Sequence, residues 1–444
     1  MRIGFIRGLF SSACVVIFIS GILVPPVAAA PTCLGDAATN PDLIGTKGKD
    51  TLVGTAGADV IIARSGDDQI RGRGGDDKIC GGDGNDTISG DAGFDQLNAG
   101  TGSDASVNGG PGDDLLLGGT GNDHLAGGLK NDKLTGGPGD DLLSGGAGVD
   151  YVRYDSAPAT GVIVDLINLT AKSGPGSDTL VAFDGVSDVE GAYGSAFGDT
   201  FIGSQGDNRF IGNSGNDTFF ASLGADLLSG GDDADSDHVS FQNLSATDGV
   251  AVDLKSGSVS WGGEAPTTQQ LSFIENVTGS PGADHVAGDE LDNVISGGGG
   301  SDTLGGGEGM DRISGGPGND SINLGTGRDR GFGKDGKDLL AGADGGDTIF
   351  GGAGADALRP GAGNDIVYGA GGRDTIYWSA GADELHGQND SDEIHGGEGR
   401  DLLSGEASSD KLLGGAANDV FYGGRGTDVC RQHGGRGAKH SCAK

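Results

Sequence analysis

Thirty-two aspartates in this chain fall at one fixed place of a nine-residue repeat. In a first block they are Asp50, Asp59, Asp68, Asp77, Asp86, Asp95, Asp104, Asp114, Asp123, Asp132, Asp141 and Asp150. A short middle block has Asp199, Asp217, Asp226 and Asp235. A last block has Asp284, Asp302, Asp311, Asp320, Asp329, Asp338, Asp347, Asp356, Asp365, Asp374, Asp383, Asp392, Asp401, Asp410, Asp419 and Asp428. Asparagine takes the place twice, at Asn208 and Asn293. Carboxylates spaced so evenly suit one kind of chemistry. Calcium takes about six to eight oxygen ligands, from carboxylates and main-chain carbonyls. All these aspartates except Asp235, whose repeat breaks down, are candidate metal ligands.

The residue patterns of other chemistries are missing. The sequence has no HExxH for a zinc protease, no GxSxG nucleophile elbow and no GxxxxGK[ST] phosphate loop. His386 and His395 share the ninth place of neighbouring repeats, two strands apart on the outside and not in a zinc site. The formal charge of −37 argues against nucleic acid and anionic membrane surfaces as partners.

The elements that would position the aspartates can be read from Gly81 to Ser89, GGDGNDTIS. Glycine stands at the first, second and fourth places, Asp86 at the sixth and Ile88 at the eighth. Such a glycine-rich hexad is poor helix and strand material but suits a tight turn with positive φ. Thr87-Ile88-Ser89 alternates polar, apolar, polar, as a three-residue strand with one buried side chain would. Turn and strand, repeated, wind into a flattened roll with two repeats per coil. Coils stack at about 4.8 Å. Loops eighteen residues apart then lie above one another, so Asp86 would share ions with the loops of Asp68 and Asp104. Without the ions, stacked aspartates repel, and folding and binding become one event.

Composition alone is close to that of disordered chains, with 95 glycines, 65 acidic against 28 basic residues and 5% aromatics among 444. The period overrides it, because each repeat buries one aliphatic residue in a stack. In the first block the eighth places run from Leu52 to Val152, broken at Ser106, where the step from Asp104 to Asp114 is ten residues. That spot reads as a bulge. The middle block stacks Phe201, Phe210 and Phe219, and Asp237 stands where its last apolar residue belongs, so the roll should fray there. The last block loses one core side chain at Gly331. Lys130, Leu291, Asp390, Ser408 and Ala417 replace fourth-place glycines, which predicts strained or weakly binding loops.

The remaining segments divide the chain. Residues 1–29 read as a secretory signal: Arg2 and Arg7, an apolar run from Leu9 to Val24, then small residues; the alternative is an uncleaved membrane anchor, against which Ser11, Ser12, Ser20 and Gly21 interrupt the run. The expected order continues with an N-terminal cap at 30–44, a first roll at 45–153 and a β-rich connector at 154–193. A short second roll follows at 194–238, a second connector at 239–278, a third roll at 279–431 and a basic tail at 432–444. The connectors are internal copies, GVIVDL from Gly161 and GVAVDL from Gly249. Cys33 and Cys80 flank the start of the first roll, and Cys430 and Cys442 the end of the last. In a secreted chain they suggest disulfides Cys33–Cys80 and Cys430–Cys442, with free or differently paired thiols as the alternative.

These repeats resemble the RTX, or haemolysin-type, calcium-binding family over 34 repeats. The resemblance implies an all-β fold, a parallel β-roll of nonapeptide repeats in three blocks joined by two short β-rich segments. It implies several calcium ions held by turn carbonyls and the sixth-place aspartates. Many members of the family carry a catalytic or pore-forming domain and an uncleaved C-terminal export signal; here the expected signal is N-terminal, and no stretch of this sequence reads as such a domain. The expected function is that of a secreted, non-enzymatic calcium-binding protein, a structural, adhesive or envelope-matrix module. Its partners would be cell-surface or matrix polymers or proteins, and no segment would span a membrane after signal cleavage. The alternative is a secreted hydrolase or toxin-related protein with its active site in the connectors.

Overall fold

One apolar side chain in nine cannot be buried by its own repeat; only a neighbouring coil can cover it. The computed structural model describes residues 32–38, 43–155, 160–173, 177–180, 182–183, 186–187, 189–231, 234–245, 249–261, 269–435 and 437–442. The expected signal at 1–29 and Arg436 of the basic tail lie outside the described residues. Among the described residues every named element is a strand. Within the repeat blocks each strand pairs in parallel with the strand two repeats on, so that Ile79 faces Leu97 and Ile88 faces Val107. Successive repeats thus feed two facing sheets alternately, which is the expected β-roll. Ile79, Leu97 and Leu116 from one sheet and Ile88, Val107 and Leu125 from the other are at most 1% exposed between them. A single core cluster runs from Leu43 to Cys430, so the three blocks form one stack.

The strands are longer than the three residues read from the repeat. Lys78–Asp83 and Thr87–Ala92, at six residues each, are typical. Pairing resumes beyond the corner at Gly81: Cys80 faces Asn98 and Gly82 faces Gly100. A stack of identical turns gives each main-chain group a partner eighteen residues away, and this outweighs the poor strand preference of glycine.

Three expected faults are absorbed locally. The extra residue after Asp104 is taken up at exposed Ala105, and Val107 instead of Ser106 fills the eighth place between Ile88 and Leu125. The middle block does not fray. Its two extra residues lie between Gly230 and Asp237; Asp237 takes the sixth place, and Val239 the eighth, facing Phe219 and Val277. The gap at Gly331 is filled by Leu324, whose methyls lie 2.9 and 3.1 Å from where a Cβ on Gly331 would stand.

The two non-repeat segments fold alike, as three-stranded antiparallel meanders built into the stack. In the first, Val162–Asp165, Thr170–Ser173 and Asp178–Leu180 bridge Leu142–Ala147 to Thr200–Ile202. In the second, Val250–Asp253, Ser258–Trp261 and Gln269–Ser272 bridge Leu227–Ser229 to His285–Ala287. The first lies in the sheet of Ile88, the second in the sheet of Ile79. On the wall opposite each meander the flanking strands pair directly, Tyr151–Arg153 with Gly191–Tyr193 and His238–Ser240 with Asn276–Thr278. Each meander therefore adds two strands to one wall and none to the other.

Both disulfides are formed as expected, Cys33–Cys80 and Cys430–Cys442. Their settings differ. Cys33 pins the Thr32–Ala37 hairpin to the outside of the first sheet, against Val60 and Ile62. Cys430 occupies the last eighth place and is 7% exposed, so the second bridge closes the core column itself. Ala438–His440 adds a final strand beside Val420–Tyr422. His386 and His395 are on the exterior but on opposite sheets; His386 ends an aromatic ladder with Tyr368, Phe350 and Phe332 at ring spacings of 4.9 to 5.0 Å.

Candidate metal-ion ladder in the turns

The turns owe their shape to the second and fourth places, which adopt positive φ. Gly82 has φ +111° and Gly84 +130°. Where side chains replace glycine the same conformation mostly persists: Lys130, Asp390, Ser408 and Ala417 have φ between 68° and 83° at the fourth place. Leu291 departs from the expectation; it is not left-handed, because its turn is rebuilt around Asp289, whose Oδ1 accepts the Leu291 N–H at 2.8 Å. Crowding sets a second limit. A Cβ on Gly336 (φ +143°) would lie 1.3 Å from the Gly318 carbonyl oxygen in the coil beneath. Gly336→Val should therefore cost about 2–6 kcal/mol, from left-handed strain and overpacking. Ser408→Gly should instead stabilise by about 1 kcal/mol. Thermal melts in calcium check both, and an unchanged melt for Gly336→Val would mean that the coils do not stack this closely.

This turn folds the sixth-place aspartate back under its own coil. The Asp68 N–H donates to Asp86 Oδ1 at 2.8 Å, and the Asp86 N–H to Asp104 Oδ1 at 2.6 Å. On the other edge of the roll Asp59 donates to Asp77, and Asp77 to Asp95, both at 2.8 Å. The last block repeats this, as from Asp338 to Asp356 and from Asp347 to Asp365 at 2.9 Å. Two columns of buried carboxylates thus run along the two edges of the roll.

The columns cross both meanders, using acids outside the repeat count. Asp141 donates to Asp178 Oδ1 at 3.2 Å, Asp150 to Glu190 Oε2 at 2.7 Å, Asp217 to Asp237 Oδ1 at 2.8 Å and Asp237 to Glu275 Oε2 at 2.8 Å. Asp178 was detectable in sequence: Asp178-Thr-Leu180 matches the sixth to eighth places. Asn208 and Asn293 keep their places, and their amides donate to the carbonyls of Glu190 and Glu275 at 3.4 and 2.9 Å.

Each carboxylate has a second oxygen, and it separates the columns into two kinds of turn. At every sixth-place aspartate from Asp68 to Asp141, from Asp302 to Asp374, from Asp392 to Asp410, and at Asp428, Oδ2 is buried without a hydrogen-bond partner among the described residues. At Asp50, Asp59, Asp199, Asp226, Asp284, Asp383 and Asp419 a nearby protein group donates to it. A buried anionic oxygen without a donor is costly unless a cation faces it. Main-chain oxygens gather at the same spot: where a Cβ on Gly81 would stand, Asp86 Oδ2 is 2.3 Å away and the Ala99 carbonyl oxygen 2.6 Å. Among the described residues no three carboxylate, histidine or cysteine groups converge on one point. A metal ion here would draw on carbonyls for much of its shell, which fits a hard cation and not a thiolate- or imidazole-seeking one.

Burial raises the carboxyls, and column neighbours raise them further, while the hydrogen bond from the adjacent coil pulls the other way. Asp77, Asp86 and Asp104 are pushed up to about 6. Asp141 and Asp302 reach about 7 and Asp132 about 8.

A family model described as the RTX calcium-binding nonapeptide repeat (4 copies) matches residues 44–79, overlapping stretches of 81–152 and 193–236, and overlapping stretches of 278–430. A search against curated proteins finds no match.

Proposed function

This chain belongs to the RTX family of calcium-binding nonapeptide repeats, and from that premise we propose that it is a secreted, calcium-stiffened rod with a structural or adhesive role outside the cell. The observation that carries the reading is the run of unpartnered Oδ2 atoms along both edges of the roll. Asp68 to Asp141, Asp302 to Asp374 and Asp392 to Asp410 would hold the ions, each with carbonyls of its own and the next coil. When bound, calcium supplies positive charge that offsets the column of carboxylates. The residues do the rest: glycine corners leave room for the oxygens, and the hydrogen bond to Oδ1 aims Oδ2 inward. Two disulfides suit an oxidising, extracellular setting. The basic and apolar start of residues 1–29 supports export. Among the described residues no helix is long and apolar enough to cross a membrane.

Equilibrium dialysis of the purified chain against radioactive calcium tests the binding. Many ions per chain, not displaced by equimolar magnesium, are expected. A chain that binds none, or binds magnesium equally well, would overturn the reading.

A further inference from the structure

We propose that the roll consists of a calcium-independent hub flanked by calcium-dependent arms, the hub turns being closed by protein donors in place of metal. The inference rests on the calcium-binding reading and divides its sites.

In the regular turn the second place is left-handed, and Oδ2 is left bare. Thr46, Thr55, Ser195 and Ser280 occupy that place differently, with φ outside the left-handed region. Their backbone N–H groups donate to Oδ2 of Asp50, Asp59, Asp199 and Asp284 at 2.6 to 2.7 Å. Their hydroxyls donate to the same carboxylates at 2.7 to 2.9 Å. The hydroxyls of Ser195 and Ser280 also accept the fourth-place N–H groups of Phe197 and Gly282 at 3.1 and 3.0 Å. Elsewhere other side chains help close the turn: Gln269 and Ser222 on Asp226 at 2.6 and 3.2 Å, Gln432 on Asp419 at 2.6 Å, and Ser379 on Asp383 at 2.5 Å. A carboxylate with such donors is stable as an anion in a buried place without a cation.

Most of the closed turns fall in two places, around the meanders and at the ends of the roll, with Asp383 alone inside the last block. Asp199, Asp226 and Asp284 lie around the meanders, together with Asn208 and Asn293, which carry no charge. Asp50 and Asp59 lie at the first coils and Asp419 near the last. A second feature follows the same map. Among the described residues the five largest fully buried side chains are Phe201, Phe210, Phe219, Phe241 and Phe421. Four lie in the central region, where the rings of Phe201, Phe210 and Phe219 pack at 5.1 Å, and Phe421 follows Asp419 in its own repeat. Phenylalanine buries more apolar area than the valine, leucine and isoleucine of the arms. The central region thus combines satisfied carboxylates, which the arms have at Asp50, Asp59, Asp383 and Asp419, with a larger core that the arms do not share.

Hydrogen exchange of the intact, disulfide-bonded chain, read by mass spectrometry in calcium and in EGTA at pH 7.5, tests the division. In EGTA, peptides from 194–231 and 269–296 should keep at least 100-fold protection, while those from 66–141 and 300–375 exchange like unfolded chain. If all segments are protected in calcium and all exchange in EGTA, the hub is overturned while calcium-dependent folding stands. If the arms also stay protected in EGTA, calcium-dependent folding itself fails. Ser280→Gly should match the parent in calcium but lose protection over 278–296 in EGTA; retained protection there would overturn the role given to the hydroxyl.

Discussion

Moved from calcium into a chelator at pH 7.5, the chain should lose most of its far-UV β signal, and calcium should restore it cooperatively while magnesium does not. The arms supply most of the strands, and their carboxylates stand in two columns at the coil spacing of about 4.8 Å. At an effective dielectric near 20, two like charges at that distance repel by about 3 kcal/mol. Each carboxylate from Asp68 to Asp141 and again from Asp302 to Asp374 also has a buried oxygen without a donor among the described residues. The side chains available to offset this are small: one aliphatic residue per repeat. Magnesium fails for a geometric reason. It demands a tight octahedral shell at about 2.0–2.1 Å and gives up water reluctantly, and a hydrogen-bonded ladder cannot contract to meet it. A spectrum that stays fully folded in chelator would reduce calcium to an ornament of a self-sufficient roll.

The second large effect is that protons should stand in for calcium. The folded carboxyls lie above their ordinary value of 3.8: Asp86 and Asp320 at about 6, Asp347 and Asp356 at about 7, all mainly through burial. A raised folded value means that stability is fully present below about 3.8, where both states are protonated, and is lost as pH climbs through about 6 to 8. In chelator, the β signal at pH 5 should therefore exceed that at pH 8. With calcium present the dependence reverses, since binding must displace those protons; the calcium midpoint should rise as pH falls. Circular dichroism at the two pH values, with and without chelator, reads both. A chelated chain more folded at pH 8 than at pH 5 would refute the columns as drawn.

Much of this architecture was legible because its cause is local and repeated. A strict period of nine fixes which residue turns, which is buried and which carboxylate joins the column, and no distant contact can shift that phase for long. Asp338 and Leu340 were placed by counting alone. Where the count slipped, the reading slipped with it. Val107 and Asp237 hold the places that counting gave to Ser106 and Asp235, because a stack recovers its register by pairing with the coil beneath, which a single repeat does not reveal. The strands doubled in length for the same reason. The closing role of Thr46 and Ser280 was visible only as an absent glycine. It takes the folded-back aspartate to turn a hydroxyl at the second place into a donor. Glu190 and Glu275 lay outside any repeat, and only the hydrogen bonds from Asp150 and Asp237 bring them into the columns.

The unequal walls at the two meanders have a consequence for the outline of the molecule. Two surplus strands lengthen one wall by about 10 Å, and a ribbon longer on one side must bend toward the other. A lone meander would leave the first block pointing away from the axis of the last. The second meander sits on the opposite wall, with Tyr193, Phe210 and Leu228 and their coils between, so the two bends have opposite senses. Two such bends in opposite senses would return the first and last blocks toward a common direction but set them sideways from each other, with the phenylalanine-packed coils between them. Whatever the two blocks touch, they would touch along two separate lines.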